Sequence, residues 1–355
     1  MNHKKIFITA CVAISAVGGT GTAVGQVSAS PARFSSLASG YMERARTMSQ
    51  EGNYAGVIDQ LRHLSTEGVE LTAEDKEESC YLLADAYYQR GEKECVDLLR
   101  NFIRQFPASP LAQEANLKIG DYYFFHHDWA EALGQYSNLD LGRLNRDQYI
   151  LYSYRLGLCQ IKTGHFAEAA TTLQVLKNVP NYKNAYTFYS GYLEYINGDY
   201  DKAYNLFSQV KGGEHGLDAS YYIAQIDYTR GRYEEVANKG AQLLNSLNAE
   251  NMELAPELNR ITGLSLFKLN QPSKARGYLL RYAETTPDNP APDAIYALGV
   301  CDYEDGDYTK AAERLSTLTE GNDAIAQSAW LYLGQCDMKS GFKLFTIPTS
   351  IIGNQ

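Results

Sequence analysis

The stretch Gly198-Asp199-Tyr200-Asp201-Lys202-Ala203 recurs almost unchanged as Gly306-Asp307-Tyr308-Thr309-Lys310-Ala311. Each copy places an aromatic residue two positions after the glycine and an alanine five positions after it. Looser copies of this motif begin at Gly52, Gly91, His127, Gly164, Gly231 and Asn270. A motif that returns at fixed intervals is the signature of internal repeats, so the sequence predicts a repeat protein.

Small residues lie seven positions before each copy. They are Ala45, Ala84, Gly120, Gly157, Gly191, Ala224, Gly263, Gly299 and, for a ninth unit, Gly334. A small side chain in one helix lets a second helix approach closely, and glycine at the turn lets the chain reverse. A large apolar residue follows the alanine by four positions in most copies, with Gly240 as an exception. One helix pair cannot bury its apolar face alone, so the pattern predicts an all-α stack of antiparallel pairs.

This pattern resembles the tetratricopeptide-repeat family, which combines these small, Gly-x-Tyr and Ala positions with a proline near the repeat end. Pro107, Pro180 and Pro287 lie at or near that proline position, and Trp330 occupies an aromatic position of the family. The resemblance covers residues 38–341, as eight repeats plus helix A of a ninth, and implies a right-handed superhelical α-solenoid that binds other proteins. The stretch 106–112 also resembles repeat boundaries in bacterial envelope proteins, such as outer-membrane assembly lipoproteins.

The N-terminus reads as an export signal. Lys4 and Lys5 precede an uncharged, largely apolar run over residues 6–17, which small residues follow. This order is typical of a cleaved signal peptide, and we expect cleavage near Gly25, leaving a linker over residues 26–37. Cleavage after Ala29, an uncleaved anchor, and lipidation at Cys11 are the alternatives. An exported chain is expected to be periplasmic or associated with the envelope.

The C-terminus departs from the repeat pattern. Gly334 and Gly341 indicate a ninth repeat. Residues 342–355, however, lack the alanine that follows the turn in the other copies, and Pro348 would interrupt a second helix. One hypothesis is a truncated or frame-shifted reading frame, with a C-terminal effector or catalytic domain lost. The other is a natural apolar tail that covers the last repeat.

Composition and motifs argue against nucleic-acid binding, metal binding and catalysis. The net charge is −10 and no run of Lys or Arg forms a basic stripe, which makes nucleic acid an unexpected partner. The pair His126-His127 falls at a turn, and the acidic residues around Gly306 do not fit a calcium loop. We find no phosphate-binding loop, nucleophile elbow or zinc helix. The sequence therefore predicts no enzyme, metal or small-molecule cofactor.

Cys159, Cys301 and Cys336 occupy one equivalent position, two residues after the small residue of their repeats. Equivalent positions on stacked helices about 8–10 Å apart are too distant for a disulfide, which needs Cα atoms within about 7 Å. We therefore expect these cysteines to act as small apolar residues in the core.

Aromatic residues recur three positions before the small residue and four positions after it. A separation of seven is two helical turns, so both positions share one face of helix A. In the family that this chain resembles, that face lines the concave groove, although ordinary core packing is the alternative. The predicted groove residues are Tyr81, Tyr88, Tyr154, Phe188, Tyr195, Tyr221, Tyr228, Phe267, Tyr296 and Tyr303.

Some tetratricopeptide-repeat domains bind a C-terminal carboxylate through Lys and Asn in this groove. Here the matching sites hold aromatic residues, Leu, Asp85 and Asp121, so that clamp is not expected. An aromatic groove suits an extended peptide with apolar side chains. We therefore predict a non-catalytic envelope scaffold that binds proteins or peptides, with a glycan stacked on the rings as the alternative ligand.

Overall fold

The computed structural model describes residues 31–66, 71–249 and 251–341, and every regular element in these ranges is helical. The predicted signal peptide and the apolar tail lie outside these residues. The chain divides into two compact units, residues 1–122 and 123–355. No helix in the described ranges is long and apolar enough to cross a membrane.

The described residues contain seventeen α-helices and five 3-10 helices of three residues each. The first unit contains α1 (Pro31–Gln50), α2 (Tyr54–Thr66), α3 (Ala73–Gln89), α4 (Glu94–Gln105) and most of α5 (Ala112–Phe125). The second unit continues with α6 (Trp129–Ser137), α7 (Arg146–Lys162), α8 (Phe166–Leu173), α9 (Lys183–Ile196), α10 (Tyr200–Phe207), α11 (Gly216–Thr229), α12 (Tyr233–Ser246), α13 (Ala255–Lys268), α14 (Pro272–Thr285), α15 (Pro292–Glu304), α16 (Tyr308–Ser316) and α17 (Ala324–Ser340). Each small residue of the sequence pattern lies in an odd-numbered helix, here called helix A, and the even-numbered helices are called helix B.

In the first unit, consecutive helices pack against one another from α1 to α4. In the second unit, contacts run without a break from α6 to α17, and helices A also touch directly, as α13 touches α15 and α15 touches α17. From α6 to α17 each helix thus contacts its sequence neighbours, and from α11 onward each helix A also contacts the helix A of the adjacent repeat, as in a stacked repeat.

Left-handed backbone ends every helix A. The residue seven positions after the small residue has a positive φ in all nine repeats. Seven of these residues are glycine, but His127 has φ 60° and Asn270 has φ 56°. Asn tolerates this conformation better than most residues, whereas the family pattern favours glycine at both positions. The turn geometry is therefore more regular than the sequence motif that encodes it.

The aspartate inside the Gly-Asp-Tyr motif caps helix B. The side chains of Asp199 and Asp307 accept hydrogen bonds from the backbone N–H of Lys202 and Lys310 at 3.1 and 3.2 Å. Asp128 does the same for Glu131 at 3.3 Å. These bonds satisfy amides that the first helical turn leaves without a partner. The motif therefore encodes both the turn and the start of the next helix.

Close packing between helices A and B follows the predicted rule. A Cβ built on Gly157 would lie 2.5 Å from Leu173 of the following helix, and one on Gly299 would lie 2.8 Å from Leu315. Both leucines are buried, with 1% and 0% of their surface exposed. The large residue of helix B therefore fills the space that the small residue of helix A leaves open.

Gly240, the exception to that rule, packs against the helix A of the next repeat and not against that of its own repeat. A Cβ at this position would lie 2.0 Å from the hydroxyl oxygen of Thr262 in α13, the helix A of the next repeat. Thr262 is fully buried. The missing large residue on α12 is thus explained by an unusually close approach between α12 and α13.

The cysteines lie where the packing interpretation predicts. Cys159, Cys301 and Cys336 are buried, as is Cys95, and Cys80 is half-buried. All five are free thiols. Burial raises the pKa of the Cys301 thiol to about 12, which removes the reactive thiolate at neutral pH.

Thiol labelling of the folded protein at pH 8 is expected to modify Cys80 at least about tenfold faster than the four buried cysteines. Peptide mapping after a short exposure to a maleimide measures this order directly. Labelling in urea is the control, because unfolding must make all five thiols react. Rapid modification of Cys301 in the folded protein would show that its helix pair opens readily.

Candidate functional site

The helix-A face is the name used here for the positions three before, one after and four after the small residue, on α7, α9, α11, α13, α15 and α17. Because an α-helix turns about 100° per residue, these positions lie about 40–100° around the helix from the small residue that faces helix B. Their side chains are therefore placed between the core and the surface. Most of the predicted rings in this unit are indeed half-buried.

In the first unit, the two predicted tyrosines have different environments. Tyr81 is 8% exposed, with its ring 5.2 Å from that of Phe102, and its hydroxyl accepts a hydrogen bond from Lys118 at 2.7 Å. We therefore assign Tyr81 to the core and not to a binding surface. Tyr88 is half-buried. Lys118 also pairs with Asp85 at 2.6 Å, so this cation is already neutralised.

Phe188 is a second correction. The sequence pattern placed it in the groove, but it is 6% exposed and packs between Phe207 and His215. The His215 ring stacks on it at 4.8 Å with an interplanar angle of 5°. Tyr154, the equivalent residue of the preceding repeat, is half-buried with its ring 5.2 Å from that of Tyr182.

Burial lowers the pKa of His215, against the opposing charges of Glu214 and Asp218. Protonation then favours the unfolded chain, where histidine titrates near pH 6.5. The contribution of neutral His215 is therefore complete above about pH 6.5 and is lost as the pH falls below it.

We expect the free energy of unfolding of the wild type to fall between pH 7.5 and 5.5 by up to about 1.4 kcal/mol per pH unit below the unfolded pKa. The His215→Phe variant keeps the stacked ring and removes the titration, so subtracting its pH profile isolates this histidine. Urea unfolding followed by circular dichroism measures both profiles. Parallel profiles for the two proteins would contradict the assignment.

The position four after the small residue carries rings that are fixed by the following turn. Tyr195, Tyr228 and Tyr303 each contact the aromatic residue that opens helix B, five positions later, with ring centres 5.4–5.9 Å apart. The spacing of five residues between the two paired rings is constant in the sequence. The motif alone, however, indicates only that its aromatic residue covers the turn. The contact holds each ring of the helix-A face in a defined orientation.

Rings also connect one helix A to the next. Phe267 of α13 lies 6.4 Å from Tyr296 of α15, and Tyr296 lies 6.2 Å from Tyr332 of α17. Tyr303 contacts the same Tyr332 at 5.3 Å. Edge-on and tilted ring pairs of this kind are favourable beyond the area they bury. Four predicted or neighbouring rings thus form one continuous patch across three repeats.

Polar contacts extend this surface toward α9. The Tyr195 hydroxyl donates a 2.6 Å hydrogen bond to the side-chain oxygen of Gln225. Gln225 lies on α11, about one helical turn from both Tyr221 and Tyr228. Gln225 was not among the predicted residues. In the sequence, only the position of Gln225 directly after the small residue Ala224 could have identified it. Burial raises the pKa of Tyr221 to about 12, so its hydroxyl remains a neutral hydrogen-bonding group at neutral pH.

Arg260 interrupts the aromatic row. Its guanidinium binds Glu257 on its own helix through two contacts of 2.8 Å and Asp293 on α15 at 2.9 Å. It also lies 5.9 Å from the ring centre of Tyr228. Two carboxylates therefore neutralise this cation, which leaves it poorly suited to bind the terminal carboxylate of a partner.

The other candidate sites have structural explanations. His127 lies at a turn with its ring 5.0 Å from Trp129. The acidic stretch near Gly306 is not simply solvated, because Asp302 is fully buried and bound by Arg276 and Arg314 at 2.7 Å each. Within the described residues, no group of three or more His, Cys, Asp or Glu side chains could hold a metal ion.

Sequence comparison matches the tetratricopeptide-repeat family at residues 78–109 and 152–182. No curated protein matches the chain. A tetratricopeptide repeat protein from Parabacteroides merdae superposes with a TM-score of 0.45 at 15% identity, over 73% of this chain and 98% of that one. A STAND protein with a tetratricopeptide repeat sensor from Pyrococcus horikoshii gives a TM-score of 0.50 at 14% identity, over 88% of this chain and 49% of that one.

At such identities, only the fold is shared, and the Pyrococcus horikoshii structure supports it at a TM-score of 0.50. The two matched segments coincide with α3–α4 and α7–α8 and the turns that follow them. The left-handed turn recurs at the end of every other helix A, and the close contact between helices A and B recurs at Gly191, Gly263 and Gly299. The chain therefore contains tetratricopeptide repeats and has the α-solenoid fold.

Proposed function

We propose that this chain is a non-catalytic scaffold that binds an extended segment of another protein on the helix-A face of residues 146–341. Tetratricopeptide repeats typically serve protein–protein interaction. The observation that supports this particular face is the contact of its rings Phe267, Tyr296 and Tyr303 in one continuous patch with Tyr332, which lies beside the face on α17. Half-buried aromatic rings are what protein interfaces favour.

The chemistry of the face favours apolar and uncharged partner side chains. Tyrosine offers a flat apolar surface with a hydroxyl at its edge, and few rotatable bonds are lost when it is covered. Arg260 is already paired with two carboxylates, so an acidic partner finds no free guanidinium there. An extended segment could place alternate side chains between the rings and leave its backbone amides near the tyrosine hydroxyls.

Replacing Tyr221 and Tyr228 together with alanine is expected to weaken binding of such a segment at least about tenfold, because truncated interface tyrosines commonly cost more than 1 kcal/mol each. The ligand is a set of peptides selected from a random phage-displayed library on the wild-type protein. Isothermal titration calorimetry then measures their affinities for each variant.

The matched control is Tyr204→Ala with Tyr278→Ala, which removes two half-buried tyrosines from helices B. We expect this control to bind the selected peptides as the wild type does. Circular dichroism must show that both double variants keep their helix content. Equal loss in the two variants, or collapse of the helices only in the first, would assign the helix-A rings to the core. Selective binding of polysaccharides and no peptides would favour the glycan ligand.

We further propose that the scaffold works in the bacterial cell envelope. Lys4, Lys5 and the apolar run over residues 6–17 support export by their order and length. Mass spectrometry of the protein recovered from a periplasmic fraction tests this directly. An N-terminus near Gln26 is expected, and an intact Met1 in the cytoplasmic fraction would overturn the proposal.

A further inference from the structure

A cleft, here called the α12–α14 cleft, lies between these two helices B and beside the C-terminal end of α13. Its volume of about 390 Å³ falls within the range of about 300–1,000 Å³ that small-molecule sites have. Ala237 on α12 lines it together with Leu266 and Leu269 at the end of α13, and Tyr278 on α14 adds an aromatic ring. A cleft of this size and lining can hold a small ligand.

In the next repeat, charged side chains fill the equivalent space. By its spacing from the small residue of helix A, Leu266 corresponds to Asp302 on α15. By its spacing from the motif's alanine position, Ala237 corresponds to Arg276 on α14. Arg276 binds Asp302 at 2.7 Å and Asp305 at 3.3 Å. An arginine with two carboxylates therefore lies where the α12–α14 cleft has alanine and leucine.

The preceding repeat fills this space as well. Asp227, three positions after the small residue of α11, is bound by Arg232 at 3.2 Å. Tyr204 on α10 has the position that Ala237 has on α12. The guanidinium groups of Arg230 and Arg232 lie 5.5 and 5.6 Å from the centre of the Tyr204 ring. The α12–α14 cleft is therefore open because small and apolar residues replace the groups that close it on either side.

Hydrogen-bonding side chains line the same cleft. Glu234 and Asn238 are exposed on α12, and Gln271 is half-buried just before α14. The side-chain oxygen of Gln271 accepts a 3.0 Å hydrogen bond from Lys274, so its amide N–H groups are the ones that can donate to a ligand. Glu234 and Lys274 carry opposite charges, which gives the lining no net charge and suits a neutral ligand.

We propose that the α12–α14 cleft binds a neutral mono- or disaccharide. A sugar ring has an apolar face of C–H bonds and a rim of hydroxyl groups, which matches an apolar and aromatic lining beside amides and a carboxylate. The C–H face packs on Tyr278 and Leu266. The hydroxyls donate to Glu234 and exchange hydrogen bonds with Asn238 and Gln271. This site lies on helices B and a turn, so it is independent of the protein partner proposed for the helix-A face.

Saturation-transfer difference NMR on the full chain tests the proposal, with glucose, galactose, N-acetylglucosamine and cellobiose as probes. We expect saturation of the protein to reach the ring C–H protons of at least one probe. The variant Ala237→Arg introduces the side chain that Arg276 provides in the next repeat, so the transfer should be lost. Tyr278→Ala should weaken binding of the same probe at least about tenfold. Tyr278→Phe keeps the ring and should bind the probe as the wild type does.

Ala170→Arg is the matched control, because it places the same side chain at the equivalent, exposed position of α8. This control should bind the probe normally, and equal loss in both arginine variants would overturn the proposal. So would the absence of transfer to all four probes, or transfer that persists in Ala237→Arg. Loss of transfer in Tyr221→Ala with Tyr228→Ala, but not in Ala237→Arg, would place the sugar on the helix-A face and overturn it too. Circular dichroism checks the helices of each variant, and if Ala237→Arg unfolds, the comparison of Tyr278→Ala with Tyr278→Phe decides.

Discussion

Replacing Arg276 and Arg314 together with methionine is expected to lower the free energy of unfolding by about 3–5 kcal/mol. Asp302 is fully buried on α15 and accepts a 2.7 Å contact from each guanidinium, one on α14 and one on α16. The double substitution leaves a buried carboxylate with no counter-charge, which is far more costly than losing a surface pair. Urea unfolding followed by circular dichroism measures the change.

Adding Asp302→Leu to that double variant supplies the control. An apolar trio of similar volume removes the uncompensated charge, so most of the lost stability should return. This recovery would show that the stability is lost through the unpaired charge of Asp302. It would not be due to the arginine stems, which also pack on their neighbours. If the triple variant is as unstable as the double one, the ion pairs do not hold α14, α15 and α16 together.

The second large effect concerns the small residue of helix A. Gly263→Leu is expected to destabilise the protein by about 3 kcal/mol, since overpacking a close helix contact commonly costs that much. Its Cβ alone would lie 2.7 Å from Cγ of Leu279 and 3.2 Å from the backbone nitrogen of Leu279. The side chain cannot move aside without moving α14, so the helices must separate.

Gly277→Leu is the matched control for this substitution. Gly277 lies inside α14, and a Cβ added there would meet nothing within 4 Å, so the same chemical change meets open space. Leucine is the better helix former by somewhat under 1 kcal/mol, and we expect this variant to be slightly more stable. Denaturation midpoints with opposite shifts would confirm the close contact, and equal shifts would contradict it.

Much of the fold was predictable because each repeat solves the same packing problem. Gly157 packs on Leu173, and Gly299 packs on Leu315, in the adjacent helix. Because both partners of such a contact are close in the chain, their regular spacing could be recognised in the sequence. Gly240 could not be interpreted this way, because its partner Thr262 belongs to the next repeat. The turn at His127 was predicted from the motif spacing, but its left-handed backbone was not, because the residue is not glycine.

The candidate site was predicted less completely. Periodicity identified Tyr195, Tyr228 and Tyr303 as residues of one face, but it could not separate half-buried rings from the buried Tyr81 and Phe188. That difference depends on what the neighbouring repeat places against each ring, such as Phe102 against Tyr81. The continuity of the ring patch likewise depends on contacts between repeats, which a single helix pattern does not contain.

Site-directed photo-crosslinking in the living cell tests the central proposal most directly. A photoreactive amino acid at Ile196 or Thr229, exposed residues that border the helix-A face, should capture a partner protein. The same photoreactive group at Glu235 or Ser273, exposed on helices B, should capture little of it. We predict one crosslinked partner from both helix-A positions, and its loss when Tyr221 and Tyr228 are also alanine. Crosslinks to a partner from the helix-B positions alone would contradict the proposal.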